Sequence, residues 1–457
     1  MIRALARRAL IVAAAVFVLA GATSADTVPR PPRFHYTMTT LANGLQAVFL
    51  EDHSTPIVHL AIWYHVGSKD ERPGRTGFAH LFEHLMFKGS KNVLPDQHPS
   101  WITSIGGESN AETDEDSTIY WETVPAQYLP LVLWLEADRM ASLDVSEAKF
   151  RTELEVVKEE RRMRFENQPY GLLPEIIDDH AFTTHPYKHE TIGSIADLEA
   201  ASIEDVRAFH DTYYVPNNAT AVLVGDFSTS QAKSLVERYL GRVPRGKPVP
   251  RDIPEEPPHT HETRVTVTEP WPLPAVVVAY HITYDGHPDS YPLHILEKIL
   301  SDGDSSRLYR SLVYEQQVAL AAFADAKLIE DPNLFYAVAI VQPGRDSADV
   351  LDRLQAEVDR VKTDGVTEEE LDRAKRQFAR DYILGRETVR QKALQLGHAV
   401  VIHDDIRTAD GEFDLFQRVT RDDVRRVAQT YFTPESRLLL TVLPAAGAVP
   451  RATVTQP

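Results

Sequence analysis

A chain of 457 residues exceeds what one ordinary core organises, so two domains or two similar halves are expected, and 43% hydrophobic with 9% aromatic residues describes a globular rather than a disordered protein. A formal net charge of −19 excludes the basic footprint of a nucleic-acid binder and is read as solubility. With no cysteine, neither disulfides nor thiolate metal sites are available, so any metal must be held by His, Asp or Glu.

The chain begins "MIRALARRALIVAAAVFVLAGATSADT": a basic start (Arg3, Arg7, Arg8), an apolar run, and small residues around Thr23, Ser24 and Ala25. This pattern predicts a secretory signal peptide over residues 1–25 and export to an envelope compartment, a periplasm in a bacterium. No later run is long or apolar enough to span a bilayer.

Segments 45–52, 57–67 and 116–124 alternate as strands do, with helical patterns between them. Each half therefore reads as α+β, a mainly antiparallel sheet with helices on one face. The proline-rich stretch 243–260 reads as a linker between a first domain over 28–242 and a second over 261–446, followed by a tail at 447–457.

The two sides repeat each other. Residues 78–89 match 292–303, 145–160 match 366–381, and 202–227 match 419–444, at offsets of 214 to 221. His294 and Glu297 fall under His80 and Glu83, Lys298 stands where His84 would be, Ala374 falls under Glu153 and Asp381 under Glu160. A duplicated domain in which only the first copy carries a full polar set accounts for this.

That set begins in "GRTGFAHLFEHLMFKGS", residues 74–90. His80 and His84 are four apart and Glu83 three from His80, so on a helix all three share a face. Two imidazoles a turn apart can reach one ion, and the glutamate can act as general base on a water the ion activates; this is the His-x-x-Glu-His order. A catalytic zinc takes three protein ligands, and the acidic helix at 147–164 is the best source of the third. There Glu153 and Glu160 are two turns apart and face the same way. Histidines on an apolar face are more often core residues and glutamate-rich helices more often solvated faces, but the combination outweighs both readings.

These motifs resemble the pitrilysin-like zinc peptidases, the inverzincins that include the mitochondrial processing peptidase, and the resemblance covers nearly the whole mature chain. It implies two α+β domains of like topology closing as a clamshell over a cavity that admits short or unfolded peptides. It implies one zinc ion per chain held by His80, His84 and Glu160, the last lying 76 residues after His84 with Glu159 as the near miss. Glu83 is then the catalytic base and Glu153 the carboxylate that orients the site. The stretch 106–125 is similar to the family's edge strand beside the metal, and 185–194 to its post-helix motif. Asn110 and Ala111 would hold a peptide by strand addition, with Phe82 also in contact with substrate.

One departure stands out. Where active single-chain members carry an Arg and, seven residues on, a Tyr aimed at the scissile carbonyl, the matching register here places Val313 and Leu320. Neither can donate a hydrogen bond, and loss of one such donor costs about 10²–10³ in rate. Arg307, Tyr309 or Tyr314 could substitute in a shifted register. The preferred reading is a homologous partner chain that supplies the pair in a heterodimer; a homodimer also fits. The alternatives are a non-catalytic structural or chaperone-like subunit, against which the full metal set argues, and a binding protein with buried histidines.

Overall fold

The computed structural model describes residues 30–445; the expected signal peptide over 1–25 and the tail over 447–457 lie outside the described residues. Strands β1 (Tyr36–Thr40), β2 (Gln46–Glu51), β3 (Ile57–Tyr64), β4 (Glu108–Thr113), β5 (Thr118–Pro125) and β6 (Ala219–Gly225) form one sheet in the order β1-β2-β6-β3-β5-β4. Strands β7 (Thr263–Glu269), β8 (Ala275–His281), β9 (Ala319–Ala326), β10 (Leu334–Val341) and β11 (Arg437–Pro444) form a second in the order β7-β11-β8-β10-β9. Apart from β1, the two orders coincide strand for strand. Each sheet has one parallel pair, β2–β6 and β7–β11, among antiparallel neighbours, so both are mixed.

The helices that carry or support the polar residues are α1 (Phe78–Leu85), α2 (Leu129–Ser142), α3 (Glu147–Arg161), α4 (Leu173–Ala181), α5 (Ile203–Tyr213), α6 (Ser290–Ser301), α7 (Glu368–Leu384) and α8 (Val389–Val401). On one face of the first sheet Phe49, Leu60, Ile62 and Leu223 pack with Phe82 and Leu85 of α1, Val132 and Leu133 of α2, and Phe150 and Val157 of α3. Because side chains alternate along a strand, Val48, Ala61, Trp63 and Val222 point the other way. They meet Ala393, Leu396 and Val400 of α8, a helix that belongs in sequence to the second half.

The exchange is reciprocal. Leu173 and Ile177 of α4 pack on Val277, Ala279, Val338 and Leu440 of the second sheet. The starts of α4 and α8 differ by an offset within the range of the other repeats, so equivalent helices are traded between the halves. Helices on one face of each sheet describe only the local layer; the opposite face is closed by the other half. The sequence carries a trace of this in β3, where the near-continuous apolar run "IVHLAIWY" is that of a strand buried on both faces.

Gly397 lets α8 approach closely, because a Cβ there would collide with the Trp63 indole. Residues 243–262 form neither helix nor strand. They are pinned by Glu256, which accepts the amides of Thr183 and Thr184 at 2.8 Å and of His185 at 2.9 Å, just past α4. No helix among the described residues is long and apolar enough to cross a membrane.

Candidate metal centre

Helix α1 starts from Gly77, whose φ of 88° is left-handed and suits a residue without Cβ. Its exposed first amides are met from below. The buried Glu71 carboxylate accepts Gly77 N–H at 2.8 Å and Ala79 N–H at 2.7 Å, so a side chain six residues upstream closes the helix start. Phe78, Leu81, Phe82 and Leu85 take the core-facing stripe, which leaves His80, Glu83 and His84 together on the other face, each half-buried.

Helix α3 crosses that face. His84 Nε2 lies 3.2 Å and His80 Nε2 3.8 Å from the same atom, Glu160 Oε2, and the two imidazole centroids are 4.8 Å apart. Donors each about 2.0–2.2 Å from one ion stand roughly 3–3.5 Å from one another. The three residues therefore fit a zinc ion with little adjustment. Glu160 Oε1 is held by Arg164 at 2.7 Å, which aims Oε2 at the imidazoles. The neighbouring Glu159 is exposed and pairs with Arg162 at 3.2 Å, away from this cluster.

Glu153 is buried, its Oε2 3.5 Å from His84 Nδ1 and its Oε1 3.3 Å from Lys88 Nζ. It thus faces the nitrogen of His84 that the Glu160 side leaves over. Burial, together with His84, pushes His80 down to about 4. Burial also works downward on His84, but Glu153 and Glu160 outweigh it and lift that ring to about 9. The two carboxylates thus favour positive charge at His84, while burial disfavours it at His80. Glu83 is held above the usual carboxylate range by burial, opposed by a 2.5 Å hydrogen bond that Thr113 donates to its Oε2.

Thr113 comes from β4, which pairs only with β5 and so forms one edge of its sheet. Alternation puts Ala111 and Thr113 on the α1 side, Ala111 only 8% exposed, and turns Asn110 outward to solvent. Phe82 needs correction: it is 1% exposed and its ring packs 4.5 Å from that of Tyr214, so it is a core residue and offers substrate no surface. In the second half Val313 is half-buried and Leu320 is 50% exposed on β9. Arg307 is forked onto Glu370 at 2.6 and 2.8 Å and donates to Gly365 O at 2.9 Å. Tyr314 is exposed.

Sequence reasoning missed Glu71 and Thr113. Period-two alternation from Ala111 could have found Thr113; no local pattern marks Glu71 as a cap.

A two-half α+β fold with an inverted His-x-x-Glu-His helix and a distal glutamate defines a metallopeptidase. Residues 47–194 match the family described as Insulinase (Peptidase family M16), and residues 200–378 match the one described as Peptidase M16 inactive domain. The chain belongs to this M16 family of zinc metalloproteases. It is 30% identical over 397 residues to the zinc protease PqqE of Helicobacter pylori, covering 86% of this chain and 89% of the relative. The crystal structure of a protease from Helicobacter pylori superposes with a TM-score of 0.86 at 29% identity, covering 90% of this chain and all of that one. The first half of the periplasmic protease PqqL from Escherichia coli has a TM-score of 0.74 at 19% identity over 92% of this chain and 94% of that one, a likeness of fold.

Proposed function

We propose that this chain is an exported zinc endopeptidase that hydrolyses short or unfolded peptides in a bacterial envelope, with a homologous partner chain completing its site. The observation that carries the reading is the convergence of His80 Nε2 and His84 Nε2 on Glu160 Oε2, with Glu83 on the same helix face. These three residues would hold one zinc ion, and Glu153 would orient His84 through Nδ1. When bound, zinc polarises the scissile carbonyl and lowers the pKa of water. Glu83 takes the proton of the attacking water and returns it to the leaving amine. Thr113 donates to Oε2, which holds the Glu83 carboxylate in place and leaves Oε1 without that bond. The free edge of β4, around Asn110 and Ala111, accepts the substrate as an added strand.

The metal-bearing half is assigned to 28–242 and the metal-free half to 261–446, with 243–260 between them. The basic, apolar and small-residue succession over 1–25 supports export, and one structural relative is described as a periplasmic protease. Support for a partner is that Val313 and Leu320 carry no hydrogen-bond donor and Arg307 is committed to Glu370.

Peptide hydrolysis by the mature chain with stoichiometric zinc, alone and mixed with a homologous partner, tests this, with Glu83→Gln as the blank. Activity in the mixture that falls about 10²–10⁴-fold in Glu83→Gln while zinc is retained is expected. Full activity of the chain alone would remove the partner, and an active Glu83→Gln would remove the mechanism.

A further inference from the structure

Two groups of possible ligands besides the peptidase centre occur among the described residues. His98, Glu122 and Glu136 are buried, but the Arg139 guanidinium already lies against Glu136 and 3.6 Å from Glu122, so a side-chain cation already serves that group. Asp285, His398 and His403 are different. Asp285 follows β8, His398 sits in the last turn of α8, and His403 lies just beyond it.

His403 Nε2 is 2.9 Å and His398 Nε2 3.4 Å from one oxygen, Asp285 Oδ2, and the three donor atoms lie within 4.8 Å of one another. Asp285 Oδ1 is used separately, accepting Gly286 N–H at 2.9 Å. The other side of His403 shows its hydrogen. His403 Nδ1 is 2.9 Å from Thr408 Oγ1, whose own hydrogen goes to Asp405 O at 2.8 Å. Thr408 can only accept from the ring, so Nδ1 carries the hydrogen, and Nε2, 2.9 Å from Asp285 Oδ2, either donates a proton to that oxygen or turns a lone pair toward it. A positive charge, a proton or a metal ion, therefore lies between Nε2 and the carboxylate, and the nearby His398 Nε2 offers the second nitrogen a metal ion needs. A ring whose second nitrogen donates to a fixed acceptor is also how proteins orient a metal-binding imidazole.

We propose that Asp285, His398 and His403 form a second cation site, separate from the peptidase centre, for a divalent first-row ion such as Zn²⁺. Two imidazoles with one carboxylate select such an ion over calcium or magnesium, which prefer all-oxygen shells. His398 and His403 line a cavity of about 440 Å³ whose wall also carries Glu112, Asp114 and Glu412. The ion would tie the C-terminal end of α8, seated on the first sheet, to the loop after β8 in the second.

The test uses the full mature chain with the peptidase ligands removed, His80→Ala with His84→Ala, titrated with Zn²⁺ or Co²⁺ alone. Expected are one ion retained per chain, tetrahedral-type Co²⁺ absorption and a zinc-dependent rise in Tm, all abolished by adding His403→Ala. The half-exposed His398→Gln should weaken binding at least about tenfold, and decides the matter if His403→Ala does not fold. No bound ion and no Tm shift in the double variant would overturn the site. So would binding undiminished by His398→Gln, or a His403 that titrates as an imidazolium against Asp285 and is unmoved by either metal, which would mean an ion pair only.

Discussion

Lys298 Nζ lies 2.9 Å from Asp381 Oδ2, at the positions in the second half that His84 and Glu160 hold in the first, where Nε2 and Oε2 are 3.2 Å apart. The duplicated framework keeps the same contact between helices, α6 on α7, and sets an ammonium where the first half has the His84 imidazole. The substitution is matched elsewhere: Ala374, fully buried, stands for Glu153, so the carboxylate that faces His84 in the first half has no counterpart here. The buried Lys298 also lies 3.4 Å from Asp302 Oδ2, and Arg380 pairs with Asp381 at 2.6 Å, so Asp381 keeps a cation when the lysine is lost. Lys298→Met should therefore cost only about 1 kcal/mol in thermal unfolding and leave zinc content unchanged. A loss of zinc would mean the two halves are coupled through these helices.

Glu71, its side chain fully buried, closes the start of α1. Glu71→Ala leaves the Gly77 and Ala79 amides without an acceptor and should cost about 1–2 kcal/mol. Zinc affinity, measured by competition with a chelator, should fall about 10-fold or more because α1 loses its anchor. Glu71→Gln keeps an acceptor and should lie between; equal zinc affinity in all three would show that α1 is held by its apolar face alone.

Gly397 is required by packing, not by backbone conformation. Gly397→Ala adds a Cβ into the Trp63 indole, and overpacking of this kind costs about 1–3 kcal/mol. The gain in helix propensity, about 1 kcal/mol, works against it. A lowered denaturant midpoint with altered tryptophan fluorescence is expected. A raised midpoint would mean that α8 is not seated on the first sheet.

The same junction is sensitive to acid. Burial raises the Asp52 carboxyl, but the Lys392 ammonium of α8 and a hydrogen bond from Ser54 outweigh it and hold it down to about 2. A folded-state value below the unfolded one adds stability that is fully present above about pH 4 and lost as pH falls toward 2. Partial solvent exposure limits the contribution to about 1 kcal/mol. Unfolding of the parent and of Asp52→Asn, followed from pH 6 to pH 2, should show a gap that closes in this window; a gap constant with pH would assign the stability to something other than this charge.

Much of the centre was legible because its residues obey one local period. His80, Glu83 and His84 share a face by helical geometry alone, and Glu153 and Glu160 share another. Phe82 was misread as a substrate contact: it precedes Glu83 by one residue, and one residue on a helix turns the side chain about 100°, here into the core. The mixed order of the sheets was not legible, since register and neighbour are set by which apolar faces meet.

By itself the sequence determined the two-half plan, the metal helix and its carboxylate helix, and the loss of a ligand in the second copy, because periodicity and repeat spacing are written in the order of residues. Tertiary structure alone decided that Glu71 caps α1, that α4 and α8 change places, and that Asp285 meets His398 and His403. The bonds to partners far along the chain form only once distant apolar faces have been buried together, and no local preference of the backbone encodes which faces those are.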